Sequence, residues 1–228
     1  MSQRVLITAG AAGIGREFAR AFAGKGAKVF VCDIDEKALS AIGKEIPGIT
    51  ARRCDMVNRA EIERMVPEAV EVLGGLDVLI NNASELGPTP LRLLSDTECE
   101  DLEHVFAANV FGPFRLTKAL MGALAASARE GRGAVVLNVT SDAAVNAYPN
   151  WGAYGSSKAA LHHMSRIWNE EHEGDGVRFL SLDPGDMDTP MHAAAIPDAD
   201  PATLKRPEVS AREFVEAIAE ALPRIARS

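Results

Sequence analysis

Val5-Leu6-Ile7-Thr8-Ala9-Gly10-Ala11-Ala12-Gly13-Ile14-Gly15 decides the architecture of this chain. A short β-branched apolar run, a turn of small residues and glycines, and an amphipathic pattern from Ile14 to Lys25 read as strand, tight turn and helix. Free backbone N–H groups at such a helix start, with the helix dipole behind them, make an anion site suited to a pyrophosphate. Gly10, Ala12, Gly13, Ile14 and Gly15 form its wall, and their small side chains let phosphates approach. Glycines also serve ordinary turns and close helix packing; the strand before and the helix after favour binding.

The same alternation runs outward along the chain. Val5–Thr8, Lys28–Cys32, Thr50–Cys54, Val78–Asn81, Ala134–Thr140 and Val177–Leu182 read as strands. Helical patterns fall at Ile14–Lys25, Glu36–Glu45, Ala60–Leu73, Glu98–Ala128, Gly152–Glu171 and Glu208–Leu222. Right-handed crossovers wrap such units into a doubly wound, Rossmann-type α/β fold on a parallel sheet covered on both faces. Pro67 is expected to kink or stop its helix, and Gly112-Pro113 to break the long fourth one. No linker or repeat interrupts the pattern, so residues 1–228 are expected to form one domain.

Composition narrows the classes of partner. The 228 residues carry a net charge of −8 spread along the chain, without a basic run to track phosphates or an anionic membrane. No apolar stretch reaches a membrane-spanning length, and Met1–Gln3 lead directly into the first strand, so a soluble, unprocessed protein is expected. Cys32, Cys54 and Cys99 lack metal-ligand spacing and are odd in number, which points to buried thiols in a reducing compartment, the cytoplasm. His104, His162, His163 and His172 read as helix-face residues, and no metal site is expected.

Asp33 ends the second strand, where a carboxylate accepts from both ribose hydroxyls and repels a 2′-phosphate. NAD is therefore favoured over NADP. Neither Ala12 nor Ile34 supplies a cation for a 2′-phosphate, and Arg16, Lys37 and Arg53 reach the region only by a detour. The alternative is that Asp33 caps the next helix.

Tyr154-Gly155-Ser156-Ser157-Lys158 places a phenol and an ammonium one turn apart on one helix face. Nearby positive charge favours phenolate, so Lys158 is expected to pull the Tyr154 pKa down towards neutrality and make it a proton donor and acceptor for carbonyl and alcohol interconversion. Ser141, just past the strand Ala134–Thr140, emerges at the carboxyl edge of the sheet and can hold the substrate oxygen. Lys158 can also bond a nicotinamide ribose, and Asn109 can fix a water joining Lys158 to solvent.

With these motifs in this order, the chain resembles the short-chain dehydrogenases/reductases over nearly its whole length. The resemblance rests on the glycine turn, Asp55, Asn81-Asn82-Ala83, Asn109, Ser141, the Tyr154/Lys158 pair, and Pro184-Gly185 followed by Thr189. It implies a catalytic tetrad of Asn109, Ser141, Tyr154 and Lys158, and hydride transfer at nicotinamide C4. It also implies that Asp55 and Met56 lie near the adenine, Asn82 and Ala83 near the adenosine ribose, and Pro184, Gly185, Met187 and Thr189 around the nicotinamide. Three departures stand out. Ala9 occupies a position where relatives carry glycine, which is expected to redraw the turn slightly; Ser84 replaces another glycine and is expected to crowd or re-bond the backbone beside the cofactor. The chain ends where relatives continue into a final strand, so a sheet of six strands is expected.

In relatives the substrate lid follows the sixth strand, here about 186–207, and the segment is short and apolar apart from His192. A modest, rather apolar carbonyl or alcohol is the expected substrate. Asp142, Asn146, Tyr148 and Trp151 are candidates for the pocket mouth, though both aromatics suit core cover equally well. The helices at 98–128 and 152–171 carry surplus apolar residues, among them Phe111, Phe114, Leu161 and Trp168, and relatives pair through these helices; a homodimer is expected. A 3-oxoacyl reductase is the runner-up within the class, and a nucleotide-sensing protein that lost turnover is the alternative outside it.

Overall fold

The structure is a computed structural model and describes residues 2–222. Six strands, β1 (Arg4–Thr8), β2 (Lys28–Asp33), β3 (Thr50–Arg53), β4 (Val78–Asn81), β5 (Ala134–Val139) and β6 (Val177–Leu182), pair in parallel in the order β3-β2-β1-β4-β5-β6. The chain starts at the centre, winds outward to β3, then returns past β1 to build the other half. The crevice where the order reverses is where open sheets of this kind bind ligands. The expected six strands are present among the described residues; Met1 and residues 223–228 lie outside them.

The helices flank both faces: α1 (Gly13–Gly24), α2 (Glu36–Glu45), α3 (Arg59–Leu73), α4 (Cys99–Phe106), α5 (Gly112–Arg129), α6 (Gly152–Glu171), α7 (Pro190–Ala195) and α8 (Pro207–Ala221). Central strands bury both faces and so read as continuous apolar runs: every residue of β4 and β5 is buried. On one face Phe18 and Phe22 of α1 meet Phe214 and Ile218 of α8, with the Phe18 and Phe214 rings stacked at 5.9 Å. On the other, Ile62 and Met65 of α3 pack with Leu116, Leu120 and Leu124 of α5. The periodic spacing of these apolar residues is what makes each segment a helix with one buried stripe.

Local chemistry sets several boundaries. Asp35 caps α2 by accepting from Lys37 N at 2.8 Å and Ala38 N at 3.1 Å. Asn58 caps α3 in the same way, and Gly74 ends it in the left-handed conformation. Of the two outcomes expected at Pro67, an early stop does not occur: α3 runs through it to Leu73. Pro67 lies on the exposed side, so the carbonyl deprived of its donor faces solvent. The break expected at Gly112-Pro113 comes just before it, as one π-helical turn over Ala107–Phe111 that separates α4 from α5. Gly112 fits there because a Cβ would come within 2.6 Å of the Met56 carbonyl. Of the three thiols expected to be buried, Cys32 and Cys54 are, whereas Cys99 is exposed at the start of α4.

Candidate active site

Because the strands are parallel, the loops that follow them gather along one edge of the sheet. The sequence-identified residues all collect there, at strand ends, in those loops, or in α1, α6 and the π turn.

The first turn is shaped for close approach. A Cβ on Gly15 would sit 2.0 Å from the Ala9 carbonyl oxygen, and one on Gly10 would meet Val31 at 2.7 Å. Gly13 and Ala9 both adopt positive φ, at 51° and 47°. Ala9 thus takes a left-handed conformation that ordinarily favours glycine. Asn82 latches it to the β4 loop, donating from Nδ2 to the carbonyls of Thr8 at 3.2 Å and Ala9 at 3.0 Å. The Thr8 hydroxyl completes the latch, accepting from the backbone N–H groups of Asn82 and Ala83, both at 2.9 Å. α1 opens at Ala12 with no side-chain cap and no acidic residue in its first turn, which leaves its donors for an anion.

Asp33 is held by this turn. Its carboxylate accepts from Ala11 N and Asp35 N, each at 3.1 Å, and it is buried at the end of β2. Asp35, not Asp33, caps the following helix. Ile34 is exposed beside it, and Asp55 folds its carboxylate onto Val57 N at 2.9 Å, next to buried Met56. These residues fit a dinucleotide: a glycine cradle that a Cβ would fill, an uncapped helix start, and a buried carboxylate with lone pairs to spare.

Farther along the edge, a cavity of about 320 Å³ is lined by Ser141, Tyr154, Pro184, Gly185, Met187 and Thr189. Thr189 on its wall lies beside the glycine turn, where a Cβ on Gly13 would come within 3.9 Å of the threonine methyl. Its remaining wall has an apolar part, including Leu86, Trp151 and Met191, and a polar part of Asp142, Asp183, Asp186, Tyr148 and His192. The apolar part is the larger of the two; the acidic residues come from loops whose charges carry no periodic signal. Trp151 and Tyr148 both line the cavity, Trp151 edge-on to Tyr154 at 5.7 Å and Tyr148 donating to Asp142 at 2.7 Å, whereas Asn146 does not.

α6 carries Tyr154 and Lys158 on one face, with Lys158 Nζ 5.5 Å from the phenol ring centroid. Burial pushes the Tyr154 pKa up to about 12, and the carboxylates of Asp183 and Asp142 add to the rise, while the Ser141 and Ser84 hydroxyls oppose it. Burial also pulls the Lys158 amine down to about 7. The expected depression of the phenol by an ammonium is thus reversed in the protein alone: each group is buried deeply enough that its charged form is disfavoured. Lys158 Nζ donates to the Val139 carbonyl at 2.8 Å, a partner invisible to side-chain motifs.

Ser141 lines the cavity, its hydroxyl accepting from Ala143 N and donating to Asp142, each at 3.2 Å. Asn109 does not line it. Its amide, fully buried in the π turn, accepts from Glu85 N at 2.7 Å and donates to Glu85 O at 2.8 Å and to the Ser157 hydroxyl at 2.9 Å. The side chain pins the loop after β4 to α6. Among the described residues no group of histidine, cysteine and carboxylate side chains can hold a metal, and no helix is long and apolar enough to cross a membrane.

The sequence profile described as short chain dehydrogenase matches residues 3–200. The chain belongs to the short chain dehydrogenase family. The 7alpha-hydroxysteroid dehydrogenase of Escherichia coli K12 is 34% identical over 184 residues, 79% of this chain and 69% of that one. A solved 3-ketoacyl-(acyl-carrier-protein) reductase from Brucella melitensis, complexed with NADH, has a TM-score of 0.87 at 27% identity, covering 93% of this chain and 89% of that one. A short chain dehydrogenase from Shigella flexneri complexed with NADP has a TM-score of 0.82 at 28% identity, covering 90% and 86%. The protein is an oxidoreductase working between an alcohol and a carbonyl group.

Against that family pattern, Ser84 is the departure with the clearest structural consequence. Its hydroxyl does not re-bond the backbone. Its hydroxyl turns into the protein, towards the phenol of Tyr154.

Proposed function

We propose that this short chain dehydrogenase is an NAD-preferring enzyme that interconverts a small secondary alcohol and its ketone, with Tyr154 as acid and base. The observation that carries the reading is the meeting of Tyr154 and Ser141 on one wall of a cavity whose other wall is Pro184 to Thr189. A nicotinamide bound there supplies the hydride acceptor or donor. Ser141 turns its proton from Asp142 to the substrate oxygen and orients it. Tyr154 gives that oxygen a proton in reduction and takes it in oxidation. Lys158, anchored on Val139 O, presents its remaining donors to the phenol and to a ribose, and Asn109 holds the site's floor in place.

The preference for NAD rests on Asp33 and on the engagement of nearby cations. Arg16 is paired with Glu45, and Arg53 with Glu61 at 2.8 Å and Glu36 at 3.9 Å, so both are committed before a 2′-phosphate arrives. In this reading Gly10 to Gly15 hold the pyrophosphate, Asp33, Ile34, Asn82 and Ala83 the adenosine ribose, and Asp55 and Met56 the adenine, with Ser84 next along the cofactor. Fluorescence titration with NADH and NADPH tests it: tighter NADH binding is expected, and tighter NADPH binding overturns it. Turnover that survives Tyr154→Phe overturns the acid/base assignment.

The Brucella relative favours a 3-oxoacyl reductase as second reading. Such a substrate arrives on an acidic carrier and is best served by a basic rim, whereas this cavity's charged lining is Asp142, Asp183 and Asp186, without Lys or Arg. The proposed substrate is therefore an uncharged small alcohol, and comparing a short cyclic ketone with a 3-oxoacyl thioester separates the two.

We also infer one domain with 186–207 as substrate lid; Met187 and Lys205 bridge across its base, and α7 lies between them. A homodimer through 98–128 and 152–171 is supported by the exposure of Phe111, Phe114 and Ile167. Leu161, expected on that surface, is buried within the chain and contributes nothing to it. Light scattering that gives a monomer or a tetramer overturns the dimer. A cytoplasmic setting suits the free Cys32, Cys54 and Cys99.

A further inference from the structure

Ser84 sits between two pinned neighbours. Ala83 N is held by the Thr8 hydroxyl at 2.9 Å, and both backbone groups of Glu85 are held by the Asn109 amide. The backbone of Ser84 therefore has little freedom, and its side chain points where the loop aims it. The hydroxyl oxygen is buried, and among the described residues it has no partner at ordinary hydrogen-bond geometry. A buried hydroxyl without a partner is costly to keep, and alanine or glycine avoids the cost entirely. The group it approaches is the Tyr154 phenol.

We propose that Ser84 is a second hydroxyl of the acid/base centre, donating a hydrogen bond to the Tyr154 oxygen when that oxygen carries negative charge. The donor is weakly used while the phenol is protonated and strongly used once it is phenolate, because hydrogen bonds to an ion are about twice as strong as neutral ones. No proton leaves Ser84. In alcohol oxidation the phenolate accepts the alcohol proton and becomes phenol, the hydride would pass to a bound nicotinamide, and the Ser84 bond relaxes; reduction reverses these residue roles. The role of proton acceptor assigned to Tyr154 is the reading on which this rests.

The surroundings explain why a second donor is useful. Asp183, following β6, and Asp142, following β5, both oppose a phenolate, while the partly charged amine of Lys158 on α6 faces the ring and His192 of α7 lines the same cavity. Ser141 supplies one hydroxyl but also bonds Asp142 and must serve the substrate oxygen. Ser84, with no competing partner, remains available to the phenol throughout.

The chain has two tyrosines, so Tyr148→Phe leaves Tyr154 alone. Biosynthetic difluorotyrosine in that background brings the phenol's titration into a gentler pH range and gives one ¹⁹F resonance. Ser84→Ala is expected to raise the pKa of that fluorophenol by about one unit, the loss of one charge-assisted hydrogen bond. Ser84→Thr, which keeps a hydroxyl, is expected to restore it. An unchanged pKa in Ser84→Ala overturns the proposal, as does a rise that threonine fails to reverse, which would mark repacking. The Tyr154 reading is tested separately: if Tyr154→Phe keeps its turnover while the pKa still follows Ser84, the hydrogen bond stands and the acid/base role falls.

Discussion

Two buried charges at opposite ends of the strands have opposite surroundings. At the amino ends, Asp77 accepts from Arg4 Nη2 and Arg132 Nη2, each at 2.7 Å, and from Arg4 N at 2.9 Å. At the carboxyl ends, Lys158 is equally buried, and among the described residues no carboxylate pairs with it. Burial alone works to raise the Asp77 pKa, but the two guanidiniums and the backbone donor overcome it and hold it below the ordinary carboxylate range. Nothing overcomes burial at Lys158, whose amine falls to about 7. The first arrangement ties β1, β4 and the entry to β5 together. The second leaves an ionisable group close to its midpoint at neutral pH, which is useless for holding a fold and useful for moving protons.

If the two ends divide stability from chemistry in this way, substitutions there must separate the two properties. The largest effect is expected at the carboxyl end: Tyr154→Phe should lower turnover by about a thousandfold, roughly 4 kcal/mol of barrier, while NADH binding and the urea midpoint stay close to wild type. At the amino end Asp77→Ala takes the shared buried carboxylate from two arginines and is expected to cost about 3 kcal/mol of folding stability, read by urea denaturation, with cofactor affinity of the folded protein unchanged. A smaller effect sharpens the contrast at the glycine turn. Ala9→Gly relieves a left-handed alanine but adds freedom to the unfolded chain, and is expected to gain no more than about 0.5–1 kcal/mol in the same assay.

The amino-end cluster also shows what a sequence displays and what it conceals. The sheet, the helices and the glycine turn were legible because apolar spacing and small residues repeat at the period of each element; Val78–Asn81, Glu36–Glu45, Gly152–Glu171 and Val177–Leu182 have the expected limits. Tyr154, Lys158 and Ser141 were legible because their order and spacing are distinctive. Their electrostatics were not. The direction of the Tyr154 shift depends on how far α6 sinks into the protein and on Asp142 and Asp183 arriving from separate loops, and spacing along one helix reports neither. The use of Asn109 as a loop pin was hidden for the same reason, since its partners are the backbone of Glu85 and the hydroxyl of Ser157. The turn over Ala107–Phe111 was half legible: Gly112-Pro113 marks a break, but the π turn that aims Asn109 inward precedes it.

Urea denaturation of wild type and Lys158→Met from pH 6 to pH 10 tests the division between the two ends most directly. A lysine whose folded pKa lies near 7, below the ordinary 10.5, destabilises the fold fully below pH 7 and progressively less as pH rises towards 10.5, because the unfolded chain binds the extra proton across that window. The methionine variant is therefore expected to be inactive yet more stable than wild type by a few kcal/mol (~2–4) at pH 6, with the gap closing by pH 10. A variant no more stable than wild type at pH 6, or a gap that does not change with pH, contradicts the claim that this amine is held against the fold's own stability for the sake of the site.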